Sequence, residues 1–159
     1  MTESRHHEAG DGTSPTRDQN TRLRETRQRY AQLPLVYSCS GCSSAAQLAN
    51  QLALRLDHEG LAEMSCIAGV ASGVKPLVRT ARSGRPILAL DGCQLHCVRH
   101  ALATQQVEAT VHVDFSRHEI GKELHRLPGA QECEAGWDGV VLPALQAVLR
   151  GGTEAEKPT

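Results

Sequence analysis

Aromatic side chains are nearly missing. One Trp, one Phe and two Tyr serve 159 residues, so the core must be built from Leu, Val, Ala and Ile. No apolar run approaches the ~20 residues that a bilayer-spanning helix needs. Neither sign of charge dominates: Lys and Arg number 17, Asp and Glu 18. That balance gives no electrostatic case for nucleic acid or an anionic membrane as partner, since each calls for a basic face. Residues 1–30 are polar and charged, without the apolar stretch of a secretory signal. A cytoplasmic setting is the expectation, and there thiols stay reduced unless they bind metal or do redox work. No glycine-rich nucleotide fingerprint appears, because Gly69, Gly73 and Gly84 have the wrong spacing.

What is present is enough chain for one domain, with 40% hydrophobic and 22% charged residues. Residues 1–20 show no apolar periodicity and are expected to be disordered. Residues 21–33 carry Arg22, Arg24, Arg27 and Arg29 around Glu25. They read as a solvated leader, with a short exposed helix over 21–32. Pro34 marks the boundary of a domain over 34–150, and 151–159 reads as a frayed tail.

Within the domain one unit recurs. Residues 35–38 form a buried strand, Cys39-Ser40-Gly41-Cys42 a turn, and Ser43 or Ser44 a helix cap. Ala46, Leu48, Ala49, Leu52, Ala53 and Leu56 then keep helical spacing until Gly60. A weaker strand over 61–67 carries Cys66 at its end, and a helix over 74–83 follows. The apolar run Pro86-Ile87-Leu88-Ala89-Leu90 is the third strand, Asp91-Gly92-Cys93 its turn, and 97–105 its helix. Residues 109–114 alternate as a fourth strand. Residues 129–139 read as a loop, and 140–149 as an apolar helix interrupted by Pro143. Strands alternating with helices predict an α/β fold: a small three-layer, doubly wound, flavodoxin- or Rossmann-like sheet of four mainly parallel strands in the order 2-1-3-4.

Six cysteines in a reduced chain point to metal or thiol chemistry before disulfides. In the expected order the carboxyl ends of the first three strands share one rim. Neighbouring strands are ~4.8 Å apart and Zn–S bonds ~2.3 Å, so Cys39, Cys66 and Cys93 can reach one ion. Cys93 and Cys97, four apart at the start of a helix, share a face, and a helix amino terminus favours thiolate. Asp91 is expected to cap that helix, or else to support the metal ligands from behind, and Gly92 to supply a backbone angle that a side chain would resist. Cys39 and Cys42 form C-x-x-C, which suits zinc and also a thiol–disulfide oxidoreductase. Taken alone, Cys66 would be a buried thiol; the repeated strand–turn context promotes it.

Cys39-Ser40-Gly41, then Cys66-Ile67-Ala68-Gly69, then Asp91-Gly92-Cys93 with Cys97 resembles the DGC-domain family, small bacterial and archaeal proteins proposed to bind zinc. The resemblance covers about residues 34–114. It implies that Cys39, Cys66, Cys93 and Cys97 hold the ion, with Cys42 and Cys133 outside that set. Relatives often carry proline after the DGC cysteine; here Gln94 stands instead, which frees a backbone donor and removes no ligand.

Lesser constellations are weighed beside it. Cys93, His96, Cys97 and His100 share one side of a helix, but four ligands on so short a helix would crowd an ion. His112 and Asp114 end the fourth strand and reach the same rim. Cys93 to Arg99 matches the C-x5-R spacing of phosphatase loops but lacks the glycines for close phosphate approach. Cys133 lies among glutamates and reads as incidental.

The sequence thus predicts a zinc-binding protein with Cys39, Cys66, Cys93 and Cys97 as ligands and Cys42 as alternate or fifth. Four thiolates leave no open position for water, which argues against hydrolysis and for a structural, sensing or metal-handling role without catalytic residues. An iron–sulfur cluster on the same thiols, a Cys39–Cys42 redox pair, and a partner-binding module using the exposed arginine segment over 21–33 or the final helix are the competing readings.

Overall fold

A computed structural model describes residues 16–151. Of the disorder expected over 1–20 and the tail over 151–159, residues 1–15 and 152–159 lie outside the described residues, whereas 17–20 are helical rather than disordered. Helix α1 (Arg17–Tyr30) begins earlier than the spacing predicts. Thr16 explains the start: its hydroxyl accepts the Gln19 N–H at 3.3 Å while Gln19 Oε1 accepts the Thr16 N–H at 2.8 Å. No residue of α1 is buried. Its last turn is tied down, because the Tyr30 hydroxyl donates to the Asp57 carbonyl at 2.8 Å and Arg85 donates to the Tyr30 and Leu33 carbonyls.

Four strands follow: β1 (Leu35–Ser38), β2 (Glu63–Met64), β3 (Ile87–Asp91) and β4 (Val111–Asp114). All pairings are parallel and the order is β2-β1-β3-β4, as the alternating pattern predicts. The two central strands, Leu-Val-Tyr-Ser and Ile-Leu-Ala-Leu-Asp, are buried at every position. A parallel sheet covered on both faces demands such near-continuous apolar runs.

The covering layers are built from α2 (Ser44–His58), α3 (Ile67–Ala71), α4 (Lys75–Ala81), α5 (Cys97–Thr104), α6 (Ala130–Gly136) and α7 (Leu142–Leu149). Helix α2 packs on β1, β2 and β3 and touches α6, while α7 packs on β3 and β4. On the other face α5 lies on β3 and α3 bridges α5 to α4. Ser43 is the cap of α2, its hydroxyl accepting the Ala46 N–H at 3.3 Å. The predicted stripe Ala46, Leu48, Ala49, Leu52, Ala53 and Leu56 is the buried face.

Two expectations need correction. The strand predicted over 61–67 survives only as Glu63–Met64. The N–H groups of Leu61 and Ala62 bond back to the Leu56 carbonyl, and after Ser65 the chain turns into α3 with Cys66 as its cap residue. The loop predicted over 129–139 is instead helical: α6 runs into a π-turn (Trp137–Val141) and on into α7. Glycines at 129, 136 and 139 concealed this. Glu132 accepts the Gly129 N–H at 2.7 Å and is gripped by Arg126. Gly136 is buried where a side chain would press on Leu52. Burial there outweighs weak local propensity.

Candidate functional site

The carboxyl edge of the sheet carries the predicted cysteines, and their environments differ. Cys39 follows β1 and is 9% exposed. Its N–H continues the ladder to the Leu90 carbonyl at 3.0 Å, and its Sγ accepts the Gly92 N–H at 3.1 Å. Burial pushes its thiol up to about 11; the Gly92 N–H works against that shift, while Asp91, Cys97 and Cys93 add to it. Cys93 and Cys97 therefore lie close enough to bear on the Cys39 thiol. Cys93 is half-buried, with Lys122 Nζ donating toward its Sγ at 3.6 Å. Cys97 is exposed at the first position of α5.

Cys66 and Cys42 are exposed. Cys66 bears on the buried Tyr37 hydroxyl of β1. The sheet thus brings the five thiols to one rim. It does not gather them to a point: among the described residues no three His, Cys, Asp or Glu side chains form a group that could hold an ion. Cys133 stands apart on α6, its thiol donating to Gln51 Oε1 at 3.2 Å.

Beside the thiols lies a cluster assembled by the β3–β4 register, which sets Asp91 opposite Asp114. Asp91 is 1% exposed. It caps α5 from a distance: Oδ1 accepts the Val98 N–H at 2.9 Å and Oδ2 the Arg99 N–H at 3.2 Å. Asp91 Oδ2 also takes His112 Nε2 at 2.9 Å, and Asp114 Oδ2 takes His96 Nε2 at 2.9 Å. Carboxylates accept, so both imidazoles carry hydrogen on Nε2. The rings meet edge to face, centroids 4.9 Å apart. Burial pushes the Asp114 carboxyl up, but hydrogen bonds from Ser116 and His96 outweigh it and hold the group below its ordinary value.

His96 occupies the left-handed region, φ 48° and ψ 46°, at the cap position of α5. A non-glycine residue there costs about 1–2 kcal/mol. The Asp114 bond helps hold it. Two buried carboxylates thus fasten the segment between β3 and α5 that carries Cys93 and Cys97. The capping role predicted for Asp91 is what the structure shows. The pairing of both histidines with carboxylates is not legible locally; it follows from which residue of β4 faces Asp91. His100 is exposed, its N–H bonded to the His96 carbonyl at 2.9 Å.

The reason predicted for Gly92 is corrected. Gly92 is not among the glycines with positive φ. Its constraint is proximity: a Cβ would sit 2.6 Å from the Ala45 carbonyl carbon and oxygen and 2.7 Å from the Ala46 nitrogen. The first turn of α2 presses on the DGC turn, and only glycine fits between.

The DGC domain model matches residues 35–140. The chain is 61% identical over 120 residues to the "Anaerobic and virulence modulator AnvM" of Pseudomonas aeruginosa, covering 76% of this chain and 88% of that protein. No solved structure matches.

Proposed function

The chain belongs to the DGC-domain family, and from that premise we propose that its cysteine rim is a thiolate site for a soft metal ion, Zn(II) first, in a sensing or metal-handling role. The observation that carries this is the Cys39 Sγ–Gly92 N–H bond of 3.1 Å. It joins the thiol after the first strand to the turn that bears Cys93, while Cys97 and Cys93 bear electrostatically on Cys39. For Cys39, Cys66, Cys93 and Cys97 to hold the ion, with Cys42 as alternate, the exposed thiols would have to close on it, because no three of the described residues form a group for one here. Bound zinc would supply the positive charge that a buried Cys39 thiolate otherwise lacks.

Donor chemistry suits zinc, since thiolates are its usual protein ligands. Structural zinc sites are closed cages. A rim with Cys42, Cys66 and Cys97 exposed fits instead a site that exchanges its ion. Such thiols belong in a reducing, cytoplasmic compartment, and among the described residues no helix is long and apolar enough to cross a membrane. The relative's name describes modulation of anaerobic and virulence behaviour. We carry over only the regulatory class, which oxygen-sensitive thiols would suit.

The Cys39–Cys42 oxidoreductase reading is less well supported. The attacking thiol of such a pair needs easy ionisation. Cys39 is buried, its pKa raised, and α2 starts at Ser44, beyond the pair.

Elemental analysis and an absorption spectrum of the full chain purified without added metal test the proposal. The expected result is about one equivalent of zinc and no visible bands. Cys66→Ser and Cys97→Ser lower the zinc content and Cys133→Ser does not. Metal-free protein that takes up no added zinc, or content indifferent to both rim substitutions, overturns it. Visible sulfur-to-iron bands transfer the same thiols to an iron–sulfur cluster.

A further inference from the structure

The chain's near-neutral total conceals a segregation of charge. Between Glu63 and Glu108 the sequence holds one acid, Asp91, against Lys75, Arg79, Arg82, Arg85 and Arg99. Asp91 is buried and committed to His112 and two backbone N–H groups. This stretch builds α3, α4 and α5, so the layer on that face of the sheet is cationic.

Lys75 and Arg79 of α4 and Arg82, the residue that caps it, lie at i, i+4 and i+7. They form one stripe of like charges, an unfavourable arrangement unless something answers it. None of the three has an ion-pair partner among the described residues. Other cations are paired: Arg85 with Glu63, Arg55 with Glu59 and Glu134, Arg126 with Glu123 and Glu132. The stripe faces a cleft of about 420 Å³, lined by Gly73, Lys75, Val78, Arg79, Arg82 and Gln105. Arg82 is already oriented, its Nε and Nη2 donating to the Gln105 carbonyl at 3.0 and 2.8 Å. No carboxylate lines the wall.

We propose that this cleft, between α4 and the carboxyl end of α5, binds a small organic phosphate. Three cations lining one cleft call for an anion of charge −2 or more, and guanidinium forks match phosphate oxygens. The cleft is open to solvent, and its volume leaves room for more than a lone inorganic ion. Val78 gives the organic part an apolar contact. Three exposed cations confined to two turns of chain favour a compact ligand over a polynucleotide, which binds along extended basic surfaces. The site is separate from the thiol rim: Cys97 opens α5, and Gln105 follows its other end.

Titration calorimetry of the full chain at low salt tests this with adenosine 5′-diphosphate, inorganic pyrophosphate and adenosine as probes. The diphosphate nucleotide is expected to bind saturably, one per chain, and adenosine not to bind. Arg79→Glu should weaken binding by at least ~10-fold. Arg22→Glu, the same charge change on α1, and Cys97→Ser should leave it unchanged, with circular dichroism showing every variant folded. No saturable signal from either phosphate, equal loss in Arg22→Glu, or equal binding of adenosine overturns the proposal. So does binding of a DNA duplex without binding of the nucleotide. Because Cys97→Ser touches only the metal site, its failure to hold zinc leaves this result standing, and the reverse.

Discussion

At the scale of single residues, Gly92 separates two reasons for a glycine that sequence cannot tell apart. A turn after a strand suggests an unusual backbone angle, whereas the observed constraint is the first turn of α2 against the DGC turn. The distinction is testable. Gly92→Ala places a methyl 2.6 Å from the Ala45 backbone carbonyl, so α2 or the turn must shift. A loss of about 1–3 kcal/mol is expected for such overpacking, read from urea unfolding. An unchanged midpoint would show that the contact yields freely. The same shift should disturb Cys39, whose Sγ depends on the Gly92 N–H.

At the scale of elements, the helix running from Ala130 to Leu149 shows how tertiary contacts override local signals. Its glycines argue for a loop and Pro143 argues for a break. Arg55 answers the first: its guanidinium lies 4.1 Å from the Trp137 ring centroid and pairs with Glu134, so α2 holds the helix in place. The π-turn answers the second. It places Pro143 in the opening turn of α7, where a missing N–H is tolerated. Pro143→Ala should therefore change stability by less than about 1 kcal/mol in the same urea assay. A large gain would reveal the proline as a strained interruption.

At the scale of the molecule, acid stability should depend on Asp114, which joins β4 to the DGC segment through His96. The folded pKa of Asp114 lies below its ordinary 3.8. A depressed pKa adds stability that is complete above the unfolded value and lost as pH falls through the folded one. Unfolding midpoints should thus drop below about pH 4, and Asp114→Asn should flatten that fall while lowering stability at neutral pH. A parallel pH profile in the variant would assign the acid loss elsewhere. Since His96 is held by Asp114, the variant also releases the constraint on the segment carrying Cys93 and Cys97.

The sequence by itself determined the α/β class, the strand order and the burial of β1 and β3, because apolar runs mark β1 and β3 locally, helical spacing marks the crossovers, and right-handed crossovers then restrict the order. It also placed Cys39, Cys66 and Cys93 at or just past strand ends and identified Asp91 as a cap. Only the tertiary structure decided the rest. It made β2 short, since its ladder is limited by how α2 ends, and made 130–149 helical, since burial of Gly136 and Trp137 supplies what propensity lacks. The pairing of Asp91 and Asp114 with two histidines was decided there too, because register is a relation between strands. The different fates of Cys39, buried, and Cys66, exposed, had the same origin: burial belongs to the neighbours a residue meets, which sequence spacing does not name.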